Sequence, residues 1–295
     1  MPDFARLREL RATNPGAVAE AAAARITRPL LNDGRLMLIA ADHPARGALG
    51  VRGDHLAMAD RYELLTRLVT ALDRPGVDGV LGTADVLEDL LLLGALDGKV
   101  AIGSMNRGGL QGSAFEIDDR FTGYDAASVG RMGFDGGKML LRIDLKDPAT
   151  VRTLESAATA VDDLAALRKI AMVEPFLSAR RPDGKIGNDL STEAVARSVA
   201  IASGLGGTSA YTWLKLPVVA DMETVMAATT LPTLLLGGDP SGSPEETYAS
   251  WGRALSVPGV RGLVVGRALL YPPDGDVAAA VDTAVSLVRG AGVAA

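Results

Sequence analysis

Residues 139–175, MLLRIDLKDPATVRTLESAATAVDDLAALRKIAMVEP, decide the fold. Met139–Ile143 is an apolar run of strand length, residues 148–166 carry a helical pattern, and Ile170–Val173 is a second apolar run closed by Glu174-Pro175. Continuous apolar strands separated by helices belong to a parallel sheet whose outer face is covered by those helices.

Outward from this stretch the same unit repeats. Further apolar runs stand at Arg35–Ala41, Gly79–Gly82, Val100–Gly103, Tyr211–Leu216, Thr233–Gly237 and Leu263–Gly266. Most are separated by helix-like segments at about 57–73, 85–96, 190–204, 221–229, 244–255 and 276–290. Eight strand–helix units at roughly 30 residues each predict one closed (β/α)8 TIM barrel of class α/β. The competing arrangement, an open doubly wound sheet, usually carries a GxGxxG turn after its first strand, and Ala41–Gly47 (ADHPARG) is not one. The first 30 residues read as two extra N-terminal helices, the second from Pro15 to Ile26. No linker interrupts residues 1–295, so a single domain is expected. One connection, 104–135 after strand three, is far longer than the others and rich in glycine. Loops of that length serve as lids or carry their own packing, and Phe115, Phe121 and Tyr124 favour order.

Composition narrows the chemistry. The chain has 295 residues, no cysteine, two histidines (His43 and His55), and six lysines against 24 arginines. Disulfides, thiolate nucleophiles and cysteine-held metals are excluded, and two histidines cannot build a three-histidine metal site. A net charge of −6 without a basic tract gives no sign of nucleic-acid binding. No apolar run is long enough to span a membrane, and the first 15 residues lack a signal-peptide core, so no membrane partner and a cytoplasmic location are expected.

In a (β/α)8 barrel the reacting groups lie at the carboxyl ends of the strands. Strand one there ends in Asp42-His43. Strand four carries Arg142 and Asp144, with Lys138 at its start. Strand five ends in Glu174, strand six contains Lys215, strand seven ends in Gly237-Gly238-Asp239 and strand eight in Gly266-Arg267. Lys215 stands in a mostly apolar strand, in a chain that almost always chooses arginine for positive charge. A buried lysine needs a partner or a task, and a desolvated one can attack a carbonyl as the free amine. The plainer alternative is a lysine reaching out from a strand end. Glu174 suits a proton shuttle whose pKa partial burial lifts, or else a salt bridge at the barrel mouth; Asp42 has the same two readings. His43 reads as a ligand, a base or a structural hydrogen-bonding group. The glycines closing strands seven and eight let backbone N–H groups approach a phosphate, and Arg267 adds a charged contact. Tight turns would explain the glycines but not the arginine.

Six segments in this order resemble the class I, Schiff-base sugar-phosphate aldolases of the (β/α)8 type, including the archaeal-type fructose-bisphosphate, tagatose-bisphosphate and sulfofructose-phosphate branches. They are Ala41-Asp42-His43, Asp135–Arg142, Val173-Glu174-Pro175, Leu214–Pro217, Leu236-Gly237-Gly238 and Val265–Ala268. The resemblance implies that Lys215 forms the imine, Glu174 is the general acid/base, Asp42 shuttles protons at substrate hydroxyls, and Gly238 and Arg267 hold the phosphate. It implies no metal and no cofactor, a phosphorylated sugar as small-molecule partner, and a homo-oligomer. Gly237, Gly266, Arg142 and His43 complete the expected substrate-binding set. Some relatives carry a second lysine within strand four, nearest Leu141 here, where Arg142 or Lys138 is the available replacement. Deoxyribose-phosphate aldolases carry a strand-seven lysine that Thr233–Gly238 lacks. The chain also resembles an actinobacterial branch associated with myo-inositol breakdown. That points to 2-deoxy-5-keto-gluconate 6-phosphate, split into dihydroxyacetone phosphate and malonate semialdehyde. An isomerase or epimerase using Asp42 and Glu174 without an imine, and a non-catalytic metabolite sensor, are the competing functions.

Overall fold

The computed structural model describes residues 2–238 and 242–290. Eight parallel strands form its centre: β1 (Leu36–Ala41), β2 (Gly79–Gly82), β3 (Val100–Ser104), β4 (Gly136–Ile143), β5 (Ile170–Arg180), β6 (Thr212–Leu216), β7 (Thr233–Leu236) and β8 (Val260–Val265). Each pairs with its neighbours in chain order, and β8 returns to β1 with Gly262 opposite Leu36, so the sheet closes into a (β/α)8 barrel. Helices α1 (Phe4–Thr13) and α2 (Ala17–Ala24) precede the barrel. Around it lie α3 (Arg61–Leu72), α4 (Ala84–Leu92), α5 (Ala126–Arg131), α6 (Ala149–Ala166), α7 (Thr192–Ser203), α8 (Met222–Met226), α9 (Pro244–Leu255), α10 (Arg267–Leu270) and α11 (Val277–Gly290). No helix among the described residues is long and apolar enough to cross a membrane.

Local chemistry explains the elements. Asp60 opens α3 by accepting from the N–H groups of Tyr62 and Glu63, and Leu64, Leu65, Leu68 and Leu72 form its buried face. Ser243 and Glu246 form a reciprocal capping box at α9, with Pro244 at its first position. In the strands the pleat sends alternate side chains to opposite faces. Leu36, Leu38, Ala40, Val100, Ile102, Ile170, Met172, Leu234 and Val264 fill the barrel interior. Their neighbours Met37, Ile39, Ala101, Ala171, Val173, Leu235 and Val265 pack under the helices. Leu30 and Leu31 pack against this interior cluster. Toward the carboxyl end the inward positions turn polar: Asp42, Ser104, Lys138, Arg142, Glu174 and Lys215 are all buried.

Several element boundaries differ from the sequence reading. β4 begins at Gly136 rather than Met139, because Gly136 lets β5 approach so closely that a Cβ there would meet the Ile170 carbonyl at 2.5 Å. Lys138 therefore lies inside the strand and not at its start. β5 continues past Pro175 to Arg180 and folds back as an antiparallel arm through Ile186–Asn188. Its turn contains Pro182-Asp183-Gly184, with Gly184 at φ +81. Segment 104–135 is ordered: it holds α5, an Asn106–Phe121 bridge and the buried Ile117 and Tyr124.

Candidate active site

Four side chains carried by four different strands meet inside the carboxyl mouth of the barrel. Lys215 Nζ lies 2.8 Å from Glu174 Oε1, and Lys138 Nζ is in contact with Glu174 Oε2. Lys138 Nζ also donates to Asp42 Oδ2 at 3.2 Å, so the lysine bridges both carboxylates. A fifth group comes from the long segment: Arg107 pairs through Nη2 with Asp42, and its Nε donates to Ser104 Oγ at 2.7 Å. Two carboxylates thus face three cations in a region where Asp42 and Lys138 are each 2% exposed.

The electrostatics follow from that census. Burial pushes the Asp42 carboxyl up, but Arg107, Lys138 and Lys215 outweigh it and hold the group well below the ordinary range. Glu174 behaves likewise: burial opposes ionisation, and the two lysines overcome it and hold its pKa at about 2. The expected upward shift of Glu174 is therefore reversed, and the residue rests as a carboxylate. Lys138 is pushed down to about 8 by burial, against the pull of Asp42 and Glu174. A carboxylate bound at each oxygen by a lysine can move a proton between them, with Lys138 close to its titration point at neutral pH.

Segment 104–135 is strapped over the same mouth. Arg46, just after β1, donates to the carbonyls of Asn106 and Gly109, each at 2.8 Å, and pairs with Asp119. Arg142 of β4 pairs with Glu116 and donates to its carbonyl at 2.8 Å. Asn106 exchanges side-chain hydrogen bonds with the backbone of Leu140 at 2.5 and 2.8 Å. Arg142, expected to touch substrate, is thus tied to this strap although it lines the cavity. Of this segment, Arg107 reaches the site. Arg120 faces solvent beside Asp118, and Asn106 pairs with β4.

A cavity of about 640 Å³ opens above the ion cluster. Its wall includes Lys215, Glu174, Asp42 and Arg107 on one side and Gly237, Gly238, Gly266, Arg267 and His43 on another. Gly238 has φ +67, the left-handed conformation that favours glycine. Gly266 is required for a different reason: a Cβ there would collide with the Ala40 carbonyl and meet His43 Cε1 at 3.0 Å. Residues 239–241, including the Asp239 of the strand-seven ending, lie outside the described residues. Burial, with Arg267 and Lys215 nearby, lowers the His43 pKa, so its ring is neutral. His43 Nδ1 is 3.9 Å from Asp42 Oδ1, too far for a hydrogen bond. Among the described residues no group of three or more His, Asp or Glu is placed to hold a metal ion.

The structure therefore brings Lys215, Glu174, Asp42, His43, Arg142, Gly237, Gly238, Gly266 and Arg267 to one cavity. Lys138, which the sequence offered in place of the second lysine, lines the same cavity, as do Arg107 and Arg46, and Ser104 holds Arg107 from β3. The available signal for Lys138 was strand parity: it is four residues from Arg142 and two from Leu140, so all three face one side.

Residues 34–285 match the family described as Cgl0159-like. The chain belongs to that family. Cgl0159 from Corynebacterium glutamicum has a crystal structure that superposes with a TM-score of 0.95 at 57% identity, covering 98% of this chain and 99% of that one. An archaeal fructose 1,6-bisphosphate aldolase matches with a TM-score of 0.65 at 19% identity, covering 92% and 99% of the two chains. A Schiff-base-forming fructose-1,6-bisphosphate aldolase matches at 0.61 and 20%, with the same coverage. These two show that the barrel of this Cgl0159-like chain is shared with such aldolases. No protein of curated function matches the sequence.

Proposed function

We propose that the chain is a class I aldolase, a carbon–carbon lyase that cleaves a phosphorylated ketose through an imine on Lys215. The observation that carries this is the pairing of Lys215 with Glu174 at 2.8 Å, inside the barrel mouth and beside an open cavity. Lys215 Nζ, after passing a proton to the Glu174–Lys138 pair, attacks the substrate carbonyl carbon, and the carbonyl oxygen, protonated by that pair, leaves as water. Glu174 or Asp42 then takes the proton from the hydroxyl β to the resulting iminium. The carbon–carbon bond breaks, its electron pair flows into the iminium, and the aldehyde leaves. Protonation of the enamine and hydrolysis release the ketone product and restore the amine. Backbone N–H groups at Gly238 and Gly266, with Arg267, hold the phosphate against β7 and β8; Gly237 and His43 shape that corner. The candidate substrate is 2-deoxy-5-keto-gluconate 6-phosphate, giving dihydroxyacetone phosphate and malonate semialdehyde.

Borohydride reduction in the presence of dihydroxyacetone phosphate, followed by intact-mass and peptide mapping, tests the reading. A single reduced adduct on Lys215, absent from Lys215→Met, is expected. Unmodified protein at saturating ligand would overturn the imine, and turnover lost on prolonged chelation would overturn a metal-independent route.

A further inference from the structure

Arg107 has a role left over after the ion cluster is accounted for. Its Nε is used by Ser104 and its Nη2 by Asp42, but Nη1 makes no hydrogen bond among the described residues. The guanidinium is buried and lines the cavity. Arg46 and Arg142 contrast with it: both are spent on the carbonyls and carboxylates of segment 104–135. Burial draws the Arg107 pKa down against the pull of Asp42, Asp119 and Glu174.

Barrel order places this arginine. Around the closed sheet β3 is four strands from β7 in either direction, so the two lie diametrically opposite. Arg107 is held at the β3 end by Ser104, while Gly237 and Gly238 follow β7. Lys215 and Glu174, on β6 and β5, stand on the arc between them. A linear substrate with its phosphate at β7 and β8 and its carbonyl at Lys215 extends its far end toward β3.

We propose that Arg107 binds an acidic group, carboxylate or phosphate, at the aldehyde end of the substrate, so that the lyase releases an anionic aldehyde. This rests on the aldolase reading and adds to it the residue that recognises the acid group of the second product. A guanidinium edge facing a carboxylate or phosphate gives charge-assisted hydrogen bonds, and losing one costs a factor of roughly ten or more in binding. The neighbouring Asp42 sets the polarity of the choice: it repels an anion placed on it and leaves the outer guanidinium edge as the favourable position.

The test runs the reaction in the condensing direction. Dihydroxyacetone phosphate is paired with malonate semialdehyde, glyceraldehyde 3-phosphate and uncharged propanal, and kcat/KM is compared between the wild type, Arg107→Met and Arg107→Lys. The wild type is expected to favour one anionic aldehyde over propanal by tenfold or more. The carboxylate and phosphate arms identify which acid is preferred. In Arg107→Met that ratio collapses toward one, and Arg107→Lys restores part of it. An arginine that only positions Asp42 would lower all three rates together and leave the ratio intact, which overturns the proposal, as does a wild type indifferent to aldehyde charge. A separate readout covers failure of the aldolase reading itself. Malonate, titrated calorimetrically into wild type and Arg107→Met, should bind the first at least tenfold more tightly; equal binding overturns the anion site whether or not Lys215 traps dihydroxyacetone phosphate.

Discussion

Glu174→Gln is the most informative single change, because the cluster it disturbs can be counted. Asp42 and Glu174 face Arg107, Lys138 and Lys215, two negative charges against three positive. The substitution keeps the shape and removes one charge, leaving one against three. Glu174 is the only ion-pair partner of Lys215 among the described residues, so that ammonium is stranded in a site where it is 4% exposed. Breaking one partner out of a buried pair costs roughly 3–5 kcal/mol. Relief comes from deprotonation: with Lys138 already at about 8, shedding its proton at pH 7 costs only about 1.4 kcal/mol, which keeps the loss near the low end of that range. At about 2 °C per kcal/mol for a large domain, the melting temperature should fall by about 6 °C.

The pH dependence separates this account from a mere packing defect. The penalty arises from crowded ammonium groups, so it shrinks as pH rises toward about 8, over the range where the variant has already lost the Lys138 proton and the wild type has not, and it levels off above that, where Lys138 is neutral in both. Melting curves of both proteins from pH 6 to 9.5 provide the measurement. Lys138→Met is the control, since it leaves two carboxylates and two cations and should cost far less. A stability gap that is absent, or that stays constant with pH, or a Lys138→Met variant as unstable as Glu174→Gln, would refute the charge-balance reasoning.

Three further outcomes are expected. If the Lys138 ammonium supplies the proton, wild-type kcat should decline as pH rises through about 8, whereas Lys138→Met should turn over 10²–10⁴-fold more slowly and lack that limb in its pH–rate profile. Gly266→Ala would drive a methyl group into the Ala40 carbonyl and His43, so KM for the phosphorylated substrate should rise at least tenfold; an unchanged KM would remove Gly266 from the phosphate corner. Asp119, fully buried, accepts from the Gly109 N–H at 3.0 Å and pairs with Arg46, so Asp119→Asn should loosen the strap and expose the buried Arg107 to limited tryptic cleavage that spares the wild type.

The fold was legible because its signal is local and repeated. All eight apolar runs are barrel strands, and a closed parallel barrel requires little more than strands of that kind alternating with helices. The boundaries erred where polar or small residues enter a strand. β4 starts with Gly136, Gly137 and Lys138, and β5 carries Glu174 and Pro175 through to Ser178. Hydropathy cannot mark such positions, yet those inside the mouth are where the polar site is built. The hairpin beyond β5 had a readable turn in Pro182-Asp183-Gly184, but its arm at Ile186–Asn188 is too short to stand out by periodicity.

Lys138 shows where single-residue reasoning reaches its limit and what replaces it. Singling out Lys215 by the rarity of lysine selected one of six, and the same rarity applied equally to Lys138. The difference lay in strand register. Once β4 is extended by three residues toward its amino end, Lys138, Leu140 and Arg142 share the inward parity, and a lysine there must find anions in the barrel. Asp42 and Glu174 are those anions, and they arrive from β1 and β5, 96 residues before it and 36 after it along the chain. The sign of the Glu174 shift depends on the same assembly: its own surroundings argue for a raised pKa, and only the two lysines from β4 and β6 reverse it. The protonation state of such a site belongs to the closed barrel, and changing any one strand's contribution should retitrate the others.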